Sequence, residues 1–118
     1  MIRLVFHGRP LSKDNEKVFN RAGRPFLSRK FREYEDYIKG QAKSQLAAIC
    51  GTNLPISGDV HIRLTFYFKN NVRPDLTNLP KSVCDALNGV LWKDDRQITK
   101  CTLMVLQDKD ERVIVEII

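Results

Sequence analysis

Alternation between apolar and polar residues predicts the β-strands of this chain. Residues 60–68 show it most clearly, and residues 2–6 show the same period. The apolar members of the clearer stretch are Val60, Ile62, Leu64, Phe66 and Phe68. Two more runs, 98–106 and 112–118, are rich in β-formers, and the charged residues 107–111 between them predict a hairpin turn.

A long helix is predicted after Ser28, where apolar residues recur every three or four positions. Ser28 is a suitable N-cap, and Gly51 is expected to close the helix. The expected buried face consists of Phe31, Tyr34, Ile38, Ala42, Leu46 and Ile49. Before this helix, residues 11–27 mix turn formers with basic side chains, so they predict a loop or a small hairpin that turns at Ala22-Gly23.

A shorter helix is predicted to begin near Thr77, with Thr77 or Asn78 as its N-cap and Pro80 in its first turn. The pair Asn88-Gly89 is expected to end it. The apolar residues at helical spacing are Leu79, Val83, Ala86 and Leu87. The predicted order of elements is therefore strand, helix, strand, helix, strand, strand.

These elements predict an α/β fold of the mixed α+β kind, a single domain (1–118) with a mixed sheet of about four main strands and two helices packed on it. A chain of 118 residues can bury roughly two-thirds of its unfolded surface in one core. No run is long or apolar enough for a membrane helix, and the amino terminus is too short in its apolar part for a signal peptide. The three cysteines lack metal-site spacing and are expected to be free thiols, so we expect a cytoplasmic protein.

Positive charge is concentrated near the amino terminus. Residues 1–32 contain nine basic and two acidic side chains, whereas the rest of the chain contains eleven and twelve. A basic segment together with a separate acidic cluster favours binding to a phosphate backbone over a merely solvated surface. The candidate DNA-binding residues are Arg9, Lys13, Lys17, Arg21, Arg24, Arg29 and Lys30. Residues 11–27 are expected to become ordered against DNA; a loop that stays mobile is the alternative.

Four aspartates lie in or near the shorter helix: Asp75 before it, Asp85 within it, and Asp94 and Asp95 after it. Carboxylate oxygens are suitable ligands for Mg²⁺ or Mn²⁺, which can activate water beside a phosphate. Asp75 and Asp95 are the best ligand candidates, and Asp94 is a third ligand or an outer-shell group. Each alone is more simply explained as a turn, cap or loop residue. Together with Lys81, which can reach a phosphate oxygen, they favour a metal site, and Asp85 is expected to pair with Lys81.

Over most of its length the chain resembles the RusA-type Holliday-junction resolvases, metal-dependent endonucleases encoded by many phages and prophages. The resemblance is densest in PDLTNL at 74–79, in Lys81, in DALNGV at 85–90, and in DD at 94–95 with QI at 97–98. Gly8-Arg9-Pro10 also resembles the family's opening. The resemblance implies a homodimer that binds four-way DNA junctions and nicks two strands symmetrically in recombination and repair, with Mg²⁺ or Mn²⁺ held by aspartates.

The resemblance also implies roles for individual residues. The matching positions are Asp75 and Asp95 for the catalytic, metal-binding aspartates, Asp94 for the acidic neighbour and Lys81 for a functional lysine. One position departs, because the family has a second aspartate where this chain has Thr77. A hydroxyl is a neutral and weaker ligand for Mg²⁺. Either water, Asn78 or Asp94 completes the site, or metal affinity and turnover are reduced.

We therefore expect a structure-selective, Mg²⁺-dependent endodeoxyribonuclease in which Lys81 steadies the scissile phosphate. One alternative is a non-catalytic junction-binding protein, with Thr77 as the sign of a lost metal site. The other is an RNA-binding accessory protein, which is disfavoured because the predicted strands show no aromatic ladder for stacking single-stranded bases.

Overall fold

The alternating segments form one mixed sheet and the helical segments pack on it. The computed structural model describes residues 1–13, 17–49 and 54–118, with the backbone alone at residues 17 and 18. In chain order the elements are β1 (Ile2–His7), β2 (Lys17–Phe19), β3 (Pro25–Leu27), α1 (Arg29–Ala47), β4 (Val60–Phe68), α2 (Pro80–Leu87), β5 (Ile98–Gln107) and β6 (Arg112–Ile117). Short 3-10 turns, Leu76–Asn78 and Asp95–Gln97, precede α2 and β5. The predicted α+β class, with two helices and a four-stranded mixed sheet, is confirmed.

The strand order of the main sheet is β1-β6-β4-β5, with β4 and β5 parallel and the other neighbours antiparallel. The predicted hairpin between the last two strands is therefore wrong. β5 and β6 lie on opposite sides of β4, and residues 107–111 cross the end of β4, where the Asp108 N–H donates to the Phe68 carbonyl at 3.0 Å. β4 has the most fully buried face of the sheet, and a strand on each side covers both of its edges.

One face of the sheet and both helices enclose the core. All five apolar residues of β4 that were predicted to be buried are at most 2% exposed. The four predicted apolar residues of the shorter helix are also fully buried. Trp92, which follows α2, is fully buried in the same core. No helix among the described residues is long and apolar enough to cross a membrane.

The ends of α1 agree in part with the sequence predictions. Ser28 is the N-cap, and its side chain accepts a hydrogen bond from the Phe31 N–H at 3.1 Å. Phe31, Ile38, Ala42 and Leu46 are buried and Tyr34 is partly buried. Ile49 lies beyond the helix and is 36% exposed. The proposed stop at Gly51 and the third cysteine, Cys50, lie outside the described residues.

The start of α2 differs from the prediction. Neither Thr77 nor Asn78 is an N-cap, because both belong to the preceding 3-10 turn, whose N-cap position is Asp75. Pro80 is the first residue of α2, and it has no N–H that a cap would need to satisfy. The predicted end at Asn88-Gly89 is confirmed, with Gly89 at a φ of +81° that favours glycine.

The basic segment before α1 contains the small hairpin that was one of its two predicted forms. β2 and β3 pair in antiparallel register. Gly23 turns the chain with a φ of +75°, and the Asn20 side chain accepts hydrogen bonds from the N–H groups of Ala22 and Arg24, both at 2.9 Å. Arg21 and Arg24 are thereby presented to solvent at the end of the hairpin.

Candidate active site

Asp75 stands at the entrance to α2, in the N-cap position of the 3-10 turn Leu76–Asn78. Its side chain is exposed and makes no capping hydrogen bond. Within the part of the chain that the structure describes, its carboxylate forms no hydrogen bond or ion pair. Both oxygens are therefore available to a ligand. An N-cap aspartate ordinarily uses one oxygen on its own turn, so this geometry favours a function for Asp75 outside the fold.

Asp95 stands at the other end of α2, where Trp92 holds one of its oxygens. The indole Nε1–H of Trp92 donates to Asp95 Oδ1 at 2.7 Å. Because Trp92 is fully buried, this hydrogen bond fixes the carboxylate to the core. No described residue binds the second oxygen, Oδ2. The sequence analysis missed this positioning role for Trp92, although the three-residue spacing of Trp92 and Asp95 was available as a signal.

Asp94 is used by the backbone around Asp95. Its Oδ1 accepts from the Arg96 N–H at 2.9 Å, and the Gln97 side chain accepts from the Asp94 N–H at 2.8 Å, which together form a capping box. Arg96 also approaches the second oxygen at 3.4 Å. The hydrogen bond from the Arg96 backbone is the main cause that lowers the pKa of Asp94. Asp94 therefore orients the turn that presents Asp95.

Lys81 is exposed in the first turn of α2 and forms no ion pair with any described residue. The predicted pair between Lys81 and Asp85 is wrong. Asp85 Oδ2 lies 2.8 Å from Lys13 Nζ, and both side chains are less than one-third exposed. The Lys13 ammonium also lies 6.0 Å from the centre of the Phe31 ring. Water and salt screen the attraction between Lys13 and Asp85 less than they would screen an exposed pair of Lys81 and Asp85. This difference accounts for the pairing of Asp85 with Lys13.

Asp75 and Asp95 each lie at the start of a 3-10 turn that adjoins β5. The 3-10 turn after Asp75 packs against β5. From the other end, Asp95 lies near Cys84 in the middle of α2, where burial raises the pKa of the Cys84 thiol to about 12 and the Asp95 charge adds to the effect. Among the described residues, no three His, Cys, Asp or Glu side chains are grouped to hold one metal ion. Asp75, Asp94 and Asp95 are therefore not gathered into a three-carboxylate centre.

The donor atoms still suit a hard divalent ion. Asp75 and Asp95 each leave at least one carboxylate oxygen unbound, and Mg²⁺ is typically held by one or two carboxylates with water and substrate phosphate. Asp94 is already committed to its turn. Thr77 is exposed and Asn78 is partly buried next to Asp75, so either could contribute a neutral oxygen. The chemistry of these donor atoms therefore suits Mg²⁺ or Mn²⁺.

Three of the basic residues that were predicted to bind DNA have acidic partners. Arg9 pairs with Glu111 at 2.7 Å, and Arg29 pairs with Glu33 at 3.0 Å. Lys13 pairs with Asp85, as described above. The remaining predicted DNA-binding residues are Arg21 and Arg24, which have no described ion pair, Lys30, which is exposed at the start of α1, and Lys17, whose side chain is not described. The unpaired arginines at the hairpin end are the clearest candidates for phosphate contacts.

The sequence matches a known protein family along most of its length. A family model described as "Endodeoxyribonuclease RusA" matches residues 7–118. No curated protein matches the chain. The matched segment covers almost the whole sequence, including Asp75, Lys81, Asp94 and Asp95. The chain therefore belongs to the RusA family, as the motif in its sequence indicated, and the family acts on Holliday-junction DNA.

Proposed function

We propose that this member of the RusA endodeoxyribonuclease family is a metal-dependent resolvase that cuts four-way DNA junctions by paired, symmetric nicks during recombination and repair. One observation supports it above the others. Asp75 and Asp95, the two aspartates that match the family's catalytic positions, are also the two that keep carboxylate oxygens free of other partners. The other two aspartates of the region, Asp85 and Asp94, are engaged within the fold.

Each residue then has a defined task. Asp75 and Asp95 hold the ion, and Trp92 and Asp94 position Asp95 for it. When bound there, Mg²⁺ or Mn²⁺ would activate water and neutralise charge on the phosphate. Lys81 has a free ammonium group on an exposed helix turn, from which it can contact a phosphate oxygen as negative charge develops.

A non-catalytic junction-binding protein is the second candidate, and two observations favour it. Thr77 is neutral where the family has an aspartate, and the described residues lack a group of three acidic ligands. In that case the protein would bind branched DNA through its basic hairpin without hydrolysing it.

Calorimetric titration of Mg²⁺ and Mn²⁺ into the purified protein separates the two candidates. We expect saturable binding of at least one of the two ions to the wild type and loss of that binding in Asp75→Asn, because a neutral amide replaces an anionic ligand. Asp59→Asn is the matched control, since Asp59 is an exposed aspartate outside the site. The resolvase proposal is contradicted if the wild type and Asp75→Asn give the same isotherm with both ions.

A homodimer is proposed with this function, because a two-fold junction presents two equivalent phosphates to two equivalent sites. The outer edge of β5 supports a specific interface. β5 has ten residues and one charged side chain, Lys100, and no strand among the described residues pairs with its outer edge. At the other edge of the sheet, the side-chain amide of Gln45 hydrogen-bonds to the backbone of β1. It accepts from the Val5 N–H at 3.0 Å and donates to the Val5 carbonyl at 2.7 Å.

A strand as long as β5 whose outer edge is unpaired tends to pair with another chain. Antiparallel pairing of β5 with the β5 of a second copy would join the two sheets around a two-fold axis. Met104 and Leu106 lie on β5 and are 42% and 41% exposed, so a partner would also cover apolar surface. We propose this edge as the dimer interface.

Met104→Lys is expected to convert the dimer to a monomer, because it places two like charges near the axis. Light scattering and sedimentation velocity would measure the change. The control is Tyr37→Lys on α1, at a residue of similar exposure (39%), which should remain dimeric. A dimer that survives Met104→Lys, or a monomeric wild type, would rule out pairing through β5.

We also propose a cytoplasmic location. Cys84 and Cys101 are free thiols, which suits a reducing compartment, and the proposed substrate is DNA.

A further inference from the structure

A pocket beside Asp75 has the properties of a phosphate-binding site. It is formed by residues 9–12 after β1, by Lys30 in the first turn of α1, and by residues 72–74. Its volume of about 280 Å³ is small for an organic ligand but sufficient for a phosphate with part of its sugar. None of the described residues that line it is acidic. Residue 74 directly precedes Asp75, so the pocket adjoins the candidate metal ligand.

Arg73 supplies positive charge to this pocket, and Lys30 also lines it. Arg9 also lines the wall, but Glu111 neutralises it at 2.7 Å. The Arg73 guanidinium is exposed, and among the described residues it is bonded only to the Pro74 carbonyl, at 3.0 Å. Lys30 lies at the start of α1, in a first turn that contains no acidic residue. The dipole of α1 therefore adds to the attraction for an anion.

Ser12 is an independent indication of a binding site. It lines the pocket and is 1% exposed, yet its hydroxyl has no hydrogen-bond partner among the described residues. Ser82 is equally buried, but its hydroxyl donates to the Leu11 carbonyl at 2.9 Å. A buried hydroxyl without a partner is costly, and an anion in the pocket that Ser12 lines would offer it an acceptor.

We propose that this pocket binds one backbone phosphate of the DNA, the neighbour of the phosphate that Asp75 and Asp95 address. The Ser12 hydroxyl donates to an oxygen of that phosphate, and the exposed Arg73 guanidinium neutralises its charge. Filling the pocket fixes the register of the strand, because Arg73 and Pro74 join it directly to Asp75. The identity of the ligand as DNA rests on the proposed function, whereas the affinity for phosphate rests on the pocket alone.

Ser12→Ala tests the hydroxyl. In EDTA, where no cleavage occurs, we expect its affinity for a four-way junction to fall about tenfold, since one hydrogen bond to a charged group is lost. Its Tm should stay equal to or above that of the wild type, because no hydrogen bond within the fold is removed. Ser82→Ala is the matched control and should lower Tm. Unchanged junction affinity in Ser12→Ala, or a lowered Tm, would overturn the proposed role.

A set of junctions that each contain a single neutral methylphosphonate identifies the phosphate. At one position near the crossover, the substitution should weaken binding to the wild type but cause no further loss in Ser12→Ala or Arg73→Gln. Arg21→Gln, at the hairpin end, should still lose affinity at that position. The absence of any position with this pattern would show that the pocket does not hold a defined phosphate.

Inorganic phosphate separates failure of the pocket from failure of the proposed function. Titrating the protein with phosphate, against chloride at equal ionic strength, should shift the backbone amide resonances of Leu11, Ser12 and Arg73, and the shifts should be lost in Arg73→Gln. Absence of these shifts would refute the pocket even if the junction is cut. A protein that shows them but neither binds nor cuts a junction would refute the proposed function and leave the phosphate pocket standing.

Discussion

Asp75→Asn and Asp95→Asn are each expected to slow cleavage of a four-way junction by roughly a hundredfold or more in saturating Mg²⁺, because each exchanges an anionic metal ligand for a neutral one. Binding to the junction in EDTA should be unchanged or tighter, since an acidic cluster without its metal repels phosphate. Single-turnover cleavage of a labelled junction and fluorescence anisotropy measure the two effects separately. Slower cleavage together with unchanged or tighter binding distinguishes a loss of catalysis from a loss of DNA binding.

Asp94→Asn is the matched control for these variants. It removes the same charge next to Asp95, but an asparagine oxygen can still cap the turn by accepting from the Arg96 N–H. We expect cleavage close to wild type and a small change in Tm. Circular-dichroism melts of all three variants test whether each variant is still folded. Wild-type cleavage rates in both Asp75→Asn and Asp95→Asn would mean that the proposed metal site does not exist.

Lys81→Ala is expected to reduce the cleavage rate by about a hundredfold, the typical effect of removing one group that stabilises transition-state charge. Its metal isotherm should match the wild type, because Lys81 acts on phosphate and not on the ion. Its Tm should also be unchanged, since the side chain is exposed and has no ion pair among the described residues. Calorimetry, melting and single-turnover kinetics together test these three expectations.

Lys109→Ala is the control for general electrostatics, because Lys109 is an exposed lysine in the connection between β5 and β6. It should cut at the wild-type rate. If Lys81→Ala and Lys109→Ala cut equally fast, Lys81 has no special role. If Lys81→Ala weakens only junction binding and a saturating enzyme concentration restores its rate, Lys81 is a binding residue and not a catalytic one.

Local patterns in the sequence were sufficient to predict the elements and most of the core. The alternation in β4 and the spacing in α2 each depend on burial of one face, which is a property of consecutive residues. The Ser28 N-cap and the stop at Gly89 are likewise local, and both are confirmed. The family resemblance singled out Asp75 and Asp95, whose free oxygens the structure then displays.

Contacts between distant residues could not be predicted in this way. β5 and β6 are both rich in β-formers, and no pattern of neighbouring residues indicates that β4 lies between them in the sheet. Lys13 and Asp85 are 72 positions apart, whereas Lys81 offered a partner one helical turn away. The partial burial of Lys13 and Asp85, which depends on the assembled fold, decided that choice. The capping box of Asp94 and Gln97, by contrast, is a local pattern with the two residues three positions apart, and it is present in the sequence.

Metal-dependent cleavage is measured by incubating the wild-type protein with a four-way junction labelled on each strand in turn, with Mg²⁺, with Mn²⁺ and with EDTA. We predict nicks at symmetric positions in two opposing strands near the crossover in the presence of either or both metal ions, and none in EDTA or on the matching linear duplex. Tight binding of the junction with no nick in saturating Mg²⁺ or Mn²⁺ would contradict the account and identify a junction-binding protein without nuclease activity.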